Sequence, residues 1–232
     1  MKSNKKVIVI TGGNSGLGKA TATILVPMNQ IVILWKNVPE IKKTAEDLKC
    51  EGIVCDVTDE KQVKSAFSGI IKKYGRVDCL INCAGVWITG AIEKNIPEEI
   101  KNVILVNTLG TILTVNALVP QLKKQKEGRI INVISQAGLN PKAERSVYGA
   151  SKWAITGFTK CLEPELAPFN INVVGFYPGF FHTDIFEKAG DHKSDFSRAM
   201  PVEKVAKELA RLVDTDPELV IKSFEVKSIK QI

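Results

Sequence analysis

VIVITGGNSGLGKATATIL, residues 7–25, is the stretch that decides the fold. It opens with β-branched residues that favour an extended chain, and their lack of polar alternation suits a strand buried on both faces. TGGNSGLG then places Gly12, Gly16 and Gly18 before the helix-forming KATATIL. A glycine-rich turn alone can occur in any fold. Between a strand and a helix it permits a tight turn and lets the backbone approach a pyrophosphate, which the helix N-terminus attracts. The spacing, T-G-x-x-x-G-x-G, is one residue wider between its first two glycines than the common dinucleotide fingerprint.

Outward from this unit, strand and helix patterns alternate. QIVILW (30–35) precedes a polar helical stretch from Pro39 to Leu48, and GIVCDV (52–57) precedes the amphipathic DEKQVKSAFSGIIKKYG (59–75). VDCLINCAG (77–85), a long helical pattern over about 97–125, GRIINVIS (128–135) and a helix running to about Pro168 follow. INVVGFYPG (171–179) and SFEVKSI (223–229) complete seven candidate strands. Repeated strand–helix–strand units predict an α/β fold: a doubly wound, Rossmann-type parallel sheet of seven strands with helices on both faces. There is no internal repeat and no linker rich in Pro, Gly or Ser, so residues 1–232 are expected to form a single domain.

Composition narrows the function classes. The 232 residues are 44% hydrophobic and 25% charged, which suits a soluble α/β domain. The first apolar run is only VIVI, too short for a secretory signal, and the apolar stretch 103–120 is interrupted by Asn, Thr and Gly. A cytoplasmic protein without a membrane partner is expected. Five scattered cysteines read as reduced thiols, and His182 and His192 flank no ligand cluster, so no metal site is expected. Net charge is +7, but the lysines fall in small groups without interleaved aromatics, which argues against nucleic-acid binding.

SVYGASKWA (147–155) carries the chemistry. In a helix, Tyr148 and Lys152 lie one turn apart on one face. A phenol with a pKa of about 10 is a sluggish proton donor near neutrality. An ammonium roughly 4 Å away favours phenolate by up to about 4 kcal/mol, which moves the phenol toward working pH.

TGGNSGLG, CDV (55–57), NCAG (82–85), VN (106–107), Ser135, YGASK (148–152) and PGFFHT (178–183) occur in this order. Together they resemble the motifs of the short-chain dehydrogenase/reductase family over about residues 5–184. The chain departs in having Cys83 where NNAG is usual, and VPMNQ where a glycine ends the first helix; Asn29 can replace that glycine in a left-handed conformation. The resemblance implies catalytic roles for Asn107, Ser135, Tyr148 and Lys152, with Lys152 also holding the nicotinamide ribose and Asn107 binding a proton-relay water. It implies cofactor contacts from Gly12, Asn14, Ser15, Gly16, Leu17 and Gly18 of the loop, and from Asp56 and Val57 at the adenine. Asn82, Ala84, Gly85, Pro178, Gly179, Phe181 and Thr183 would line the remainder, while His182 is expected to be structural. Asp56 is equally readable as an acid at a helix start, and Thr183 as a helix cap.

In NAD enzymes of this fold an acidic residue ends the second strand. Here that end reads LWKN, with Trp35 at the acid's place and Lys36 beside it, so NADP(H) is expected over NAD(H). A small carbonyl or alcohol substrate is expected, with 184–200 as lid and Trp87, Gln136 and Phe186 as pocket candidates. The rival activities are a 3-oxoacyl-acyl-carrier-protein reductase and a non-catalytic NADP(H)-sensing or scaffold protein. The apolar surplus of the 97–125 helix predicts a homo-oligomer, a tetramer or dimer.

Overall fold

The computed structural model describes residues 5–191, 196–216 and 218–231; His192 and part of the expected lid (192–195) lie outside the described residues. The strands are β1 (Val7–Thr11), β2 (Gln30–Trp35), β3 (Glu51–Val54), β4 (Cys79–Asn82), β5 (Gly128–Val133), β6 (Ile171–Pro178) and β7 (Ser223–Val226). They form one sheet of order β3-β2-β1-β4-β5-β6-β7, with every pairing parallel. The order reverses between β1 and β4, so a crevice opens there at the carboxyl ends of the strands.

The pleat of β1 shows how the layers are built. Ile8 and Ile10 join the core beneath α1 (Gly16–Leu25), α2 (Val38–Leu48) and α8 (Val202–Val213), the last of which follows the one-turn α7 (Ile185–Lys188) in sequence. Val7 and Val9 join the opposite core, beneath α3 (Glu60–Tyr74), α5 (Thr111–Gln125) and α6 (Ser146–Leu166). Each such buried side chain contributes about 1.5–3 kcal/mol of transfer free energy. A one-residue slip would change every residue's layer but leave each in an apolar core, so register rests on the turns at the strand ends.

Several ends differ from expectation: GRIINVIS leaves the sheet after Val133 and SFEVKSI after Val226. GIVCDV leaves the sheet after Val54, because Asp56 turns the chain by accepting from the Thr58 amide and hydroxyl (2.9 and 2.8 Å). VDCLINCAG ends at Asn82, where the amides of Cys83 and Ala84 donate instead to the Thr11 hydroxyl (3.0 and 3.1 Å). Asn29 is not left-handed; its side-chain amide donates to the Leu25 carbonyl at 3.0 Å and caps α1 that way.

The 97–125 helix is likewise not uniform. It runs as α4 (Pro97–Val103), a π-helical segment (Ile104–Gly110) and α5. Its length and apolarity would suffice for a membrane span. In the fold, however, Val115, Leu118 and Leu122 are buried in the core. Ile104, Leu105 and Leu109 of the π segment stay exposed, as does Trp153 on the adjoining α6.

Candidate active site

The crevice between β1 and β4 deepens into a cavity of about 640 Å³. Its floor is the glycine loop. Gly12 has φ of +67°, and a Cβ there would lie 2.9 Å from Ala84 Cα, so a side chain would separate the loop after β1 from the loop after β4. Gly18 faces the Gly12 carbonyl so closely that only glycine lets α1 begin there. Ser15, the N-cap, makes no side-chain capping bond, and the first turn has no acid. The helix end therefore offers its amides to an outside anion.

The wall opposite is built around Asn107. This residue sits in the π segment and is 1% exposed. Its Oδ1 accepts from the Val86 amide at 2.8 Å, while Nδ2 donates to the Val86 carbonyl (3.0 Å) and to Ser151 Oγ (3.1 Å). The π turn thus serves to clamp the backbone after NCAG. Both Nδ2 protons are consumed, so the side chain keeps only a second Oδ1 lone pair for the relay water expected of it. Gly85 leaves the wall as bare backbone: a Cβ there would meet Asn107 Oδ1 at 3.4 Å and Lys152 Nζ at 3.8 Å.

Ser135, at the end of β5, has φ +146° and ψ 158°, a region that is essentially glycine's. Holding a serine there costs about 1–3 kcal/mol; its hydroxyl accepts from the Ala137 amide at 3.1 Å on the cavity wall. That hydroxyl also acts on Tyr148. Burial pushes the phenol up to about 12, against the downward pull of the Ser135 hydrogen bond and the nearby Arg145 charge. The expected shift toward neutrality by Lys152 is absent, because Nζ lies over the ring, 5.7 Å from its centroid, and is itself buried. Burial lowers Lys152 to about 8. Tyr148 is thereby held protonated, the form that donates.

Aromatic residues complete the substrate end. Trp87 meets Tyr148 edge-on at 4.5 Å and Phe186 at 5.2 Å, and its Nε1 donates to Asp191 at 3.1 Å. Gln136 lines the cavity while its amide donates to the Tyr177 carbonyl and to Glu225. Phe181 pairs with Met200 across an isolated bridge, and His182 packs edge-on against Phe196, a structural placement.

The cavity brings together Gly12, Ser15, Gly16, Leu17, Gly18, Ala84, Gly85, Ser135, Tyr148, Lys152, Pro178, Gly179, Phe181 and Thr183. Thr183 closes over Gly16, where a Cβ would come within 3.4 Å of its Cγ2. The other predicted residues lie outside this lining. Asn82 is buried between Thr114 and Asn132, its polar atoms spent on them at 2.7 and 2.9 Å. Val57 packs under Gly110, Asp56 is held by Thr58, and Lys36 is exposed beyond Trp35. Asn14 is buried beside the loop, its amide on Glu40 at 3.0 Å and its Oδ1 without a partner.

Two residues that the sequence reading did not single out stand at the ends of the site. Glu40 accepts from both Trp35 Nε1 (2.9 Å) and Asn14, joining the end of β2 to the glycine loop. Arg145 lies over Trp87, 5.0 Å from the ring centroid. Neither follows a motif, and only the fold shows which cleft it faces. Among the described residues there is no cluster of three or more His, Cys, Asp or Glu side chains suited to a metal.

A crevice at the strand-order reversal, an uncapped helix N-terminus and a Tyr–Lys pair beneath it define an oxidoreductase fold that takes a nicotinamide dinucleotide. The family model for short chain dehydrogenases matches residues 6–194, and the chain belongs to the short-chain dehydrogenase/reductase family. It is 36% identical to the 3-oxoacyl-acyl-carrier-protein reductase FabG of Thermotoga maritima, covering 81% of this chain and 79% of that one. It is 34% identical to the 3-ketodihydrosphingosine reductase of Bacteroides thetaiotaomicron, covering 85% and 75%. The solved structure of ElxO with NADP bound superposes with a TM-score of 0.86 at 26% identity, covering 95% of this chain and 97% of that one.

The residues present fit such a cofactor. Lys152 is 6% exposed, yet among the described residues only one of its three donors has a partner, the Val133 carbonyl at 3.1 Å. Two donors directed at a cavity suit ribose hydroxyls, and the uncapped amides of α1 suit a pyrophosphate.

Proposed function

We propose that the protein is a cytoplasmic NADP(H)-dependent carbonyl reductase or alcohol dehydrogenase. The observation that carries this reading is the grouping of Ser135, Tyr148 and Lys152 on one cavity wall, with the phenol kept protonated by burial. The nicotinamide, when bound, supplies the hydride. Ser135 holds the carbonyl oxygen, and Tyr148 delivers its proton there as negative charge develops. An alkoxide is more basic than a phenolate, so this transfer runs downhill. Lys152 orients the ribose through the donors that the Val133 carbonyl leaves free. Asn107 fixes the Val86 backbone, and with it the wall facing Lys152. Trp87 and Phe186 exclude water from the reacting atoms.

Lys36, exposed just past β2, supports NADP(H) by attracting a 2′-phosphate, as does the likeness to ElxO with NADP bound. Glu40, which accepts from Trp35 and Asn14 beside the end of β2, keeps its negative charge there and works against that preference. A 3-oxoacyl-acyl-carrier-protein reductase remains the second reading, supported by the Thermotoga maritima relative. Leu105, Leu109 and Trp153, exposed on adjoining helices, support a two-fold contact within a dimer or tetramer. A panel of ketones, aldehydes and 3-oxoacyl thioesters, followed by NADPH oxidation at 340 nm, tests the reading. Turnover of at least one class is expected; none across the panel, with NADPH bound, would leave a sensing or scaffold role.

A further inference from the structure

The geometry points to Arg145 as the anchor for a carboxylate on the substrate, so that the carbonyl compound reduced here is a short oxo acid. This rests on the reductase reading and adds the substrate class to it.

Arg145 is half-buried at the start of α6, on the cavity wall. Its guanidinium lies over the face of Trp87 at 5.0 Å, and among the described residues it has neither an ion pair nor a side-chain hydrogen bond. A guanidinium held over an aromatic face and without a polar partner keeps its donors available, and its planar fork can receive a carboxylate in bidentate fashion. The backbone holds it there. Glu144, immediately before it, is left-handed at φ +60°, and its carbonyl accepts from the Gly90 amide (2.8 Å) and the Thr89 hydroxyl (3.0 Å). The loop is thus pinned to the segment that carries Trp87.

Position sets the size of the ligand. Trp87 lies against both functional groups, 4.5 Å from the Tyr148 ring centroid and 5.0 Å from the Arg145 guanidinium. A carbonyl at Tyr148 and a carboxylate at Arg145 therefore belong to one small molecule. Lys142, Lys188 and Lys227 also line this cavity, with Glu99 and Asp184, and Arg145 is the cation held over Trp87 among these charges. The reaction balances as oxo acid plus NADPH plus a proton giving hydroxy acid plus NADP⁺. Hydride adds to the carbonyl carbon, the C=O π bond breaks, and the Tyr148 proton, later replaced from solvent, goes to oxygen.

The test compares a short 3-oxo acid with the neutral ketone of the same length, in wild type, Arg145→Met and Arg145→Lys. Wild type is expected to favour the acid in kcat/KM by at least about 30-fold, and Arg145→Met to collapse that ratio toward about one, chiefly through KM. Arg145→Lys should recover part of it. In parallel, the saturated carboxylate of the same length is titrated calorimetrically into the NADP⁺ complex. Its binding should weaken about 10²-fold in Arg145→Met. Wild type without acid preference, or a variant that lowers acid and ketone equally and still binds the carboxylate, overturns the assignment while leaving reductase activity intact. Arg145-dependent carboxylate binding without turnover of either compound would uphold the subsite and refute the reductase reading.

Discussion

Lys152 is a burden on the fold that function explains, and its removal should show this. Burial holds its ammonium near 8 rather than at its ordinary 10.5. At ~1.4 kcal/mol per tenfold change in the proton equilibrium, the folded state carries a cost of about 3 kcal/mol near neutrality. Below pH 8 the lysine is charged in both folded and unfolded chains, so the full cost applies. Between about 8 and 10.5 it is neutral when folded but still charged when unfolded, and the cost fades as pH rises. Lys152→Met removes the charge at similar length and gives up the hydrogen bond to the Val133 carbonyl, worth about 1 kcal/mol. The net gain of ~2 kcal/mol should raise Tm by about 4–8 °C at pH 7 for a domain of this size. At pH 9.5 the gain should shrink to a small fraction. Circular-dichroism melts at both pH values, beside an activity assay in which the variant is inactive, make the measurement. A Tm at pH 7 below that of wild type, or a gain equal at both pH values, would refute this account of the site.

Lys36→Asp should shift preference from NADPH toward NADH by at least tenfold in paired titrations, and a wild type already preferring NADH would defeat the assignment. Glu40→Gln should move the preference the other way, tightening NADPH by a few-fold, since it removes a carboxylate from the 2′-phosphate mouth while keeping an acceptor for Trp35 and Asn14. Light scattering should show an assembly larger than the 25.4 kDa chain at micromolar concentration. Leu105→Glu with Trp153→Glu should dissociate it; a fully active wild-type monomer would remove the two-fold contact from the account.

The sheet was legible because its strands are β-branched runs bounded by glycine, Asn or Asp, and β1, β2 and their glycine loop fall where the residues place them. Strand ends were less so: Thr11 captures the Cys83 and Ala84 amides, a long-range bond that local pattern does not reveal. Helix α8 was legible in principle, with Val205, Leu209 and Leu212 at helical spacing and buried, yet it lies beyond the motif-bearing region. At the site, the Tyr148–Lys152 spacing put both residues on one wall. The electrostatics was not legible, because burial outweighs their mutual charge effect and only the fold shows how much water each loses. Glu40 and Arg145 escaped for a related reason: an acid and an arginine at helix starts are ordinary until the chain folds them over a cleft.

Reductase activity of Tyr148→Phe tests the central claim most directly. The substitution removes one hydroxyl while keeping the ring against Trp87, so the cavity and its cofactor contacts persist. With NADPH and the best carbonyl substrate of the panel, turnover should fall at least about 10²-fold, and the NADPH Kd from fluorescence titration should stay within about threefold. Turnover within tenfold of wild type would show that the proton comes from elsewhere.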